Sequence, residues 1–211
     1  MNVLLIGATG LVGRELLTQL ATEPACTHIT LLARRQLPAP VSPKVESHVV
    51  DFDHLESAAE FAKADAVFCA LGTTIRQAGS QQRFREVDFG YPLAVARLAL
   101  AQGGRHFLLV SALGADSRSR VFYNRVKGDL EVSVSALGYR SVTIARPSLL
   151  LGHREEFRLG ERVFARIGWM VPRRWKPVRA VDVARVLVRA AVEDAAGVRV
   201  IESEEILAPS T

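Results

Sequence analysis

Short apolar runs alternate along the chain with longer stretches in which apolar positions recur every three or four residues. The runs rich in Val, Leu and Ile predict strands at Val3–Ile6, His28–Ala33, Val45–Val50, Ala66–Leu71, Phe107–Ser111, Ser141–Ala145 and Val198–Ile201. The stretches between them predict helices near Leu11–Ala21, His54–Ala62, Gln82–Ala101, Arg120–Leu137 and Val181–Val192. Strands separated by helices of this length imply βαβ units and a parallel sheet, because parallel neighbours need long crossovers. The strands read as continuously apolar, which fits a sheet covered on both faces. The expected fold class is therefore α/β: a doubly wound parallel sheet with helices on both faces and a small carboxyl-terminal cover on the substrate side. There is no internal repeat and no dividing linker, so residues 1–211 are expected to form one domain, with 147–180 as the cover. Gln36–Lys44, with three prolines, reads as a loop after the second strand.

Composition narrows this picture. Hydrophobic residues at 49% and charged residues at 23% are ordinary for a globular chain and argue against disorder. No apolar run is long enough to span a bilayer, and the first residues enter a strand without a basic segment, so no signal peptide is expected. Cys26 and Cys69 have no metal-ligand spacing, and a reduced, cytoplasmic protein is expected. His28, His48, His54, His106 and His153 form no ligand-spaced set, so no metal is expected either. The net charge of +5 suits an anionic ligand such as a phosphorylated cofactor, and does not by itself indicate nucleic acid.

The first strand runs directly into Gly7-Ala8-Thr9-Gly10-Leu11-Val12-Gly13, which opens the first helix. Glycine at 7 allows a tight turn, at 10 the approach of a pyrophosphate, and at 13 close packing of helix on strand. The anion then lies at a helix N-terminus, where free N–H groups and the dipole favour negative charge. Alone, three glycines mark only a turn; at the start of an alternating α/β chain they point to a dinucleotide. Where an NAD site places a carboxylate, at the end of the second strand, this chain has Arg34 and Arg35. A guanidinium pairs bidentately with a 2′-phosphate, so NADP(H) is the expected cofactor; the bland alternative is a solvated arginine pair.

Ser111 ends an apolar strand, and Tyr123-Asn124-Arg125-Val126-Lys127 follows on the next predicted helix. A spacing of four puts Tyr123 and Lys127 on one helical face. A phenol with a pKa of about 10 is a poor proton donor at neutral pH, and a nearby ammonium stabilises its phenolate. Ser111, at the carboxyl end of a strand, could hydrogen-bond a substrate oxygen. The plainer readings are a buried helix aromatic, a solvated lysine and a strand-end cap.

These residues resemble the short-chain dehydrogenase/reductase superfamily, and most closely its small atypical, Tat-interacting-protein-like branch. The likeness rests on Gly7–Gly13, Cys69-Ala70-Leu71-Gly72-Thr73-Thr74, Val87-Asp88-Phe89, Ser111-Ala112-Leu113-Gly114-Ala115-Asp116, Tyr123–Gly128 and Ala145-Arg146-Pro147-Ser148. The resemblance implies that Ser111 polarises a carbonyl, that Tyr123 is the acid/base, and that Lys127 binds the nicotinamide ribose and tunes Tyr123. It also implies that Gly7, Thr9, Gly10, Leu11, Val12 and Gly13 hold the cofactor, that Asp51 and Phe52 lie near the adenine, and that Leu71, Gly72 and Thr73 line the site. The superfamily often has an asparagine where this chain has Asp88, which puts an asparagine-dependent proton relay in doubt.

The segment His153–Arg179 carries arginines at 154, 158, 162 and 166, on one stripe if it is helical, with Phe157, Phe164, Ile167, Trp169 and Met170 alongside. It reads first as an amphipathic helix with a solvated basic face; a substrate lid, a dimer contact and a membrane-surface patch are the functional alternatives. The expected function is an NADPH-dependent reductase of a carbonyl or quinone-like small molecule, with a non-catalytic NADP(H)-binding sensor or scaffold as the alternative. The expected partners are a small-molecule substrate and no specific nucleic acid, with the chain a monomer or homodimer and no transmembrane segment.

Overall fold

The computed structural model describes residues 1–36, 42–151 and 172–208. The expected arginine stripe at 154–166 and its apolar companions lie outside these residues, as does the middle of the Gln36–Lys44 loop.

Seven strands form one sheet: β1 (Asn2–Ile6), β2 (His28–Ala33), β3 (Val45–Val49), β4 (Ala66–Cys69), β5 (His106–Val110), β6 (Ser141–Arg146) and, after two short strands, β9 (Gly197–Glu202). Their order is β3-β2-β1-β4-β5-β6-β9, and every pairing is parallel. The strand order reverses between β1 and β4, which opens a crevice at their carboxyl ends, the place where doubly wound sheets bind ligands. Alternation within the strands serves two cores. Val3, Leu5, Leu31, Phe68 and Leu108 face α1 (Leu11–Thr22) and, later in the chain, α6 (Ala180–Glu193). Leu4, Ile6, Leu32, Val67 and Leu109 face the 3₁₀ segment Leu55–Ala62, α4 (Tyr91–Ala101) and α5 (Phe122–Ser135).

The long helix expected at Gln82–Ala101 is three pieces. After the short α2 (Ile75–Ala78), α3 (Gln81–Arg85) leads through a π-helical turn, Glu86–Gly90, into α4. Pro92 explains the break: it has no N–H to give the carbonyl four residues back, that of Asp88, and its ring would clash there. The wider turn relieves this, and such turns favour functional sites. A two-stranded parallel pair, β7 (Leu150–Leu151) with β8 (Val178–Arg179), and α7 (Ser203–Ile206) complete the described chain. No helix among the described residues is long and apolar enough to cross a membrane.

Candidate cofactor and active site

The chain leaves β1 through the glycine turn, and the glycines there answer to different neighbours. Gly7 has φ +82°, and a Cβ on it would lie 2.4 Å from the Ala70 carbonyl carbon. At Gly13 a Cβ would come 2.0 Å from the Gly7 oxygen. The protein's own backbone demands both. Gly10 is extended (φ −72°, ψ 171°), and a Cβ there would meet nothing closer than the Gly7 oxygen at 3.4 Å. Among the described residues nothing requires glycine at 10, so the space is suited to a ligand. No side chain caps α1, and its first turn holds no acid, which leaves N–H groups open to an anion. Thr9 and Leu11 are exposed beside this cradle, whereas the Val12 side chain is buried in the core and offers a ligand only its backbone.

Arg34 and Arg35 are exposed immediately beyond β2. Asp51 is exposed after β3 and accepts the Asp53 N–H at 2.9 Å. Phe52 is buried, its ring 5.4 Å from that of Tyr91, and acts as core. The chain leaves β4 at Cys69, earlier than the expected Leu71, so Leu71, Gly72 and Thr73 form a loop over the crevice.

Beneath that loop lies a buried ion pair. Lys127 on α5 is 4% exposed and Asp88 on the π turn 0%. Lys127 Nζ stands 2.7 Å from Asp88 Oδ1 in a buried ion pair. The Thr73 N–H donates to Asp88 Oδ2 at 2.9 Å. A Cβ on Gly72 would sit 3.5 Å from Asp88 Oδ1 and 3.7 Å from Lys127 Nζ, so the loop rests directly on the pair. Burial, the largest influence on Lys127, disfavours its ammonium; the Asp88 carboxylate, with help from Tyr123, outweighs it and holds the pKa above the ordinary lysine value. The Cys69 thiol nearby is pushed up to about 12 by burial. Tyr123, one turn before Lys127, is half-buried with its ring 5.5 Å from that of Phe84.

Ser111 stands apart from this group in its hydrogen bonding. Its hydroxyl donates to Glu131 Oε1 at 2.5 Å, and Arg146 Nε reaches the same carboxylate at 3.1 and 3.2 Å. Arg146 also meets Glu202 at 2.9 Å, and the Glu131 hydrogen bonds hold its pKa high. The structure thus brings together Lys127, Asp88, Tyr123 and the Leu71–Thr73 loop, and ties Ser111 to a neighbouring network. Sequence reasoning missed Glu131 and Arg146. The signal for Glu131 was available: it extends the 123–127 spacing by one more turn.

A seven-strand parallel sheet with an anion cradle at its topological switch defines the nucleotide-binding, doubly wound class of α/β protein. Residues 7–194 match a family model described as NAD(P)H-binding, and the chain belongs to that family. It is 38% identical over 189 residues to Protein HTATIP2 of Rattus norvegicus, covering 88% of this chain and 78% of that one, which bears out the branch named from the sequence. It is 36% identical over 216 residues to the mitochondrial Protein FMP52 of Eremothecium gossypii, covering 98% and 96%. Among solved structures it resembles MoeE5 in complex with UDP-glucose and NAD, with a TM-score of 0.73 at 16% identity over 98% of this chain and 80% of that one. The DesIV double mutant, a dTDP-glucose 4,6-dehydratase from Streptomyces venezuelae with NAD bound, gives 0.75 at 17% over 95% and 75%. At these identities the likeness concerns the fold.

One expectation is corrected by these relatives. The FMP52 proteins of Eremothecium gossypii, Emericella nidulans and Candida albicans are named as mitochondrial, against the cytoplasmic location read from the sequence. Buried, free Cys26 and Cys69 fit any reducing compartment and so point to no particular one.

Proposed function

We propose that the protein is an NADPH-dependent reductase of the short-chain dehydrogenase/reductase type, acting on a carbonyl or quinone-like small molecule. The observation that carries this reading is the buried Asp88–Lys127 pair beneath Gly72, which keeps a charged amine one helical turn from Tyr123 at the crevice. Bound NADPH supplies the hydride. Tyr123 gives its phenolic proton to the substrate oxygen, and the Lys127 ammonium stabilises the phenolate left behind. Gly10 and the N-terminus of α1 hold the pyrophosphate, and Arg34 with Arg35 meets the 2′-phosphate. Ser111 plays a supporting part: its proton rests on Glu131, so it ties the end of β5 to α5.

The test is NADPH oxidation against a panel of quinones, aldehydes and ketones, with Tyr123→Phe in parallel. Turnover abolished in the variant, with cofactor binding spared, supports the assignment; equal loss of both sinks the role given to Tyr123. No turnover anywhere with NADPH binding intact moves the reading to a cofactor sensor. For cofactor choice, NADPH and NADH are titrated before and after Arg34→Asp. The NADPH preference should shrink at least tenfold; an unmoved preference transfers the 2′-phosphate to Arg35.

A further inference from the structure

We infer that Asp88 is a positioning residue that keeps Lys127 charged and fastens it to the cofactor-lining loop after β4. Its catalytic meaning rests on the reading of Tyr123 and Lys127 above, whereas its geometry stands by itself.

An amine taken out of water gives up its proton unless a counter-charge is near. Lys127 is such an amine, and the groups facing it come from three elements. Cys69 at the end of β4 offers a thiol held neutral by burial, and Tyr123 on α5 itself offers a phenol. Asp88, on the π turn, supplies the carboxylate, whose Oδ1 faces the ammonium at 2.7 Å. The other oxygen accepts the Thr73 N–H, so one side chain spans the ammonium and the loop. Asparagine at 88 could still accept from Thr73, but it would give the ammonium no charge. Asp88 lies within the π turn that runs into α4, with its side chain buried against Lys127 of α5.

The chain has four lysines, Lys44, Lys63, Lys127 and Lys176, so a protein carrying ¹³C-labelled lysine gives an NMR spectrum simple enough to follow each side chain through a pH titration. No cofactor or substrate is needed. In the native protein Lys127 should keep its proton to higher pH than the other three. In Asp88→Asn it should become the first to titrate, more than about one pH unit below the others, because burial then acts unopposed. Native Lys127 titrating with the others, or an unchanged order in Asp88→Asn, overturns the inference; if the variant does not fold, the native titration decides. A protein without reductase activity that shows the reversed order refutes the proposed function and leaves this inference standing. Where turnover is present, kcat of Asp88→Asn should begin to fall at lower pH than in the native protein as Lys127 deprotonates, with KM less affected. An equal loss at every pH would show a merely structural role.

Discussion

At the scale of single residues, the glycine turn separates what the protein needs from what its ligand needs. Gly13→Ala pushes a Cβ into the Gly7 oxygen and should destabilise the fold by several kcal/mol, on the order of the larger single-site losses. Gly10→Ala meets only an ordinary contact and should melt at the native temperature while binding NADPH at least tenfold more weakly. Thermal melts paired with cofactor titrations check both, and a Gly10 variant that binds normally would remove the pyrophosphate from this cradle. Ser111→Ala deletes one buried hydrogen bond to a carboxylate, which should cost about 1.5–3 kcal/mol and leave turnover well above that of Tyr123→Phe. Chemical denaturation and steady-state rates of the two variants settle the comparison. Where these candidates sit was legible, since the turn glycines, the arginine pair and the Tyr123–Lys127 spacing stand in the sequence itself. The partner of Ser111 was not legible, because chain order says nothing of which way a hydroxyl turns. Glu131 stands one turn beyond Lys127, so its helical face was readable, but its burial and its bond to Ser111 were not.

At the scale of elements, strand positions followed from continuous apolar runs, and their ends shifted by a residue or two where the chain leaves the sheet. The helix at 82–101 was read as one because apolar spacing tolerates a single wide turn; Pro92 was the overlooked sign. The β7–β8 pair was invisible, since two-residue strands have no period. One joint between elements makes a pH prediction. His106 on β5 is 2% exposed, meets Thr143 of β6 at 2.9 Å, and lies 3.5 Å from Asp194 at the end of α6. Burial holds its pKa below the ordinary 6.5, against the pull of Asp194. The folded state therefore resists a proton that the unfolded state accepts. Stability is full above pH 6.5 and falls as pH drops toward the lower folded value. Melting temperature followed from pH 7.5 to 5 should show this fall, and His106→Gln should flatten it; an identical slope in both would assign the effect elsewhere.

At the scale of the whole molecule, a ligand that binds only the folded state stabilises it. NADPH at 100 times its Kd should contribute about 2.7 kcal/mol, or roughly 5–10 °C in melting temperature for a chain of this size. If NADH at equal concentration raises it as much, Arg34 and Arg35 do not read the 2′-phosphate. The overall architecture was legible because alternating elements leave few topologies open, while cellular compartment was not, because composition records solubility and redox state rather than address. The parallel sheet has one more consequence. Every strand points the same way, so Gly10, Arg34, Asp51, Gly72 and Ser111 all emerge at one rim. The opposite rim carries Asp65, Arg105, His106 and Asp194, which brace the scaffold and leave the crevice alone. Fixed to a solid support through that lower rim, the molecule would hold its crevice open to solution, like a cup standing on its base.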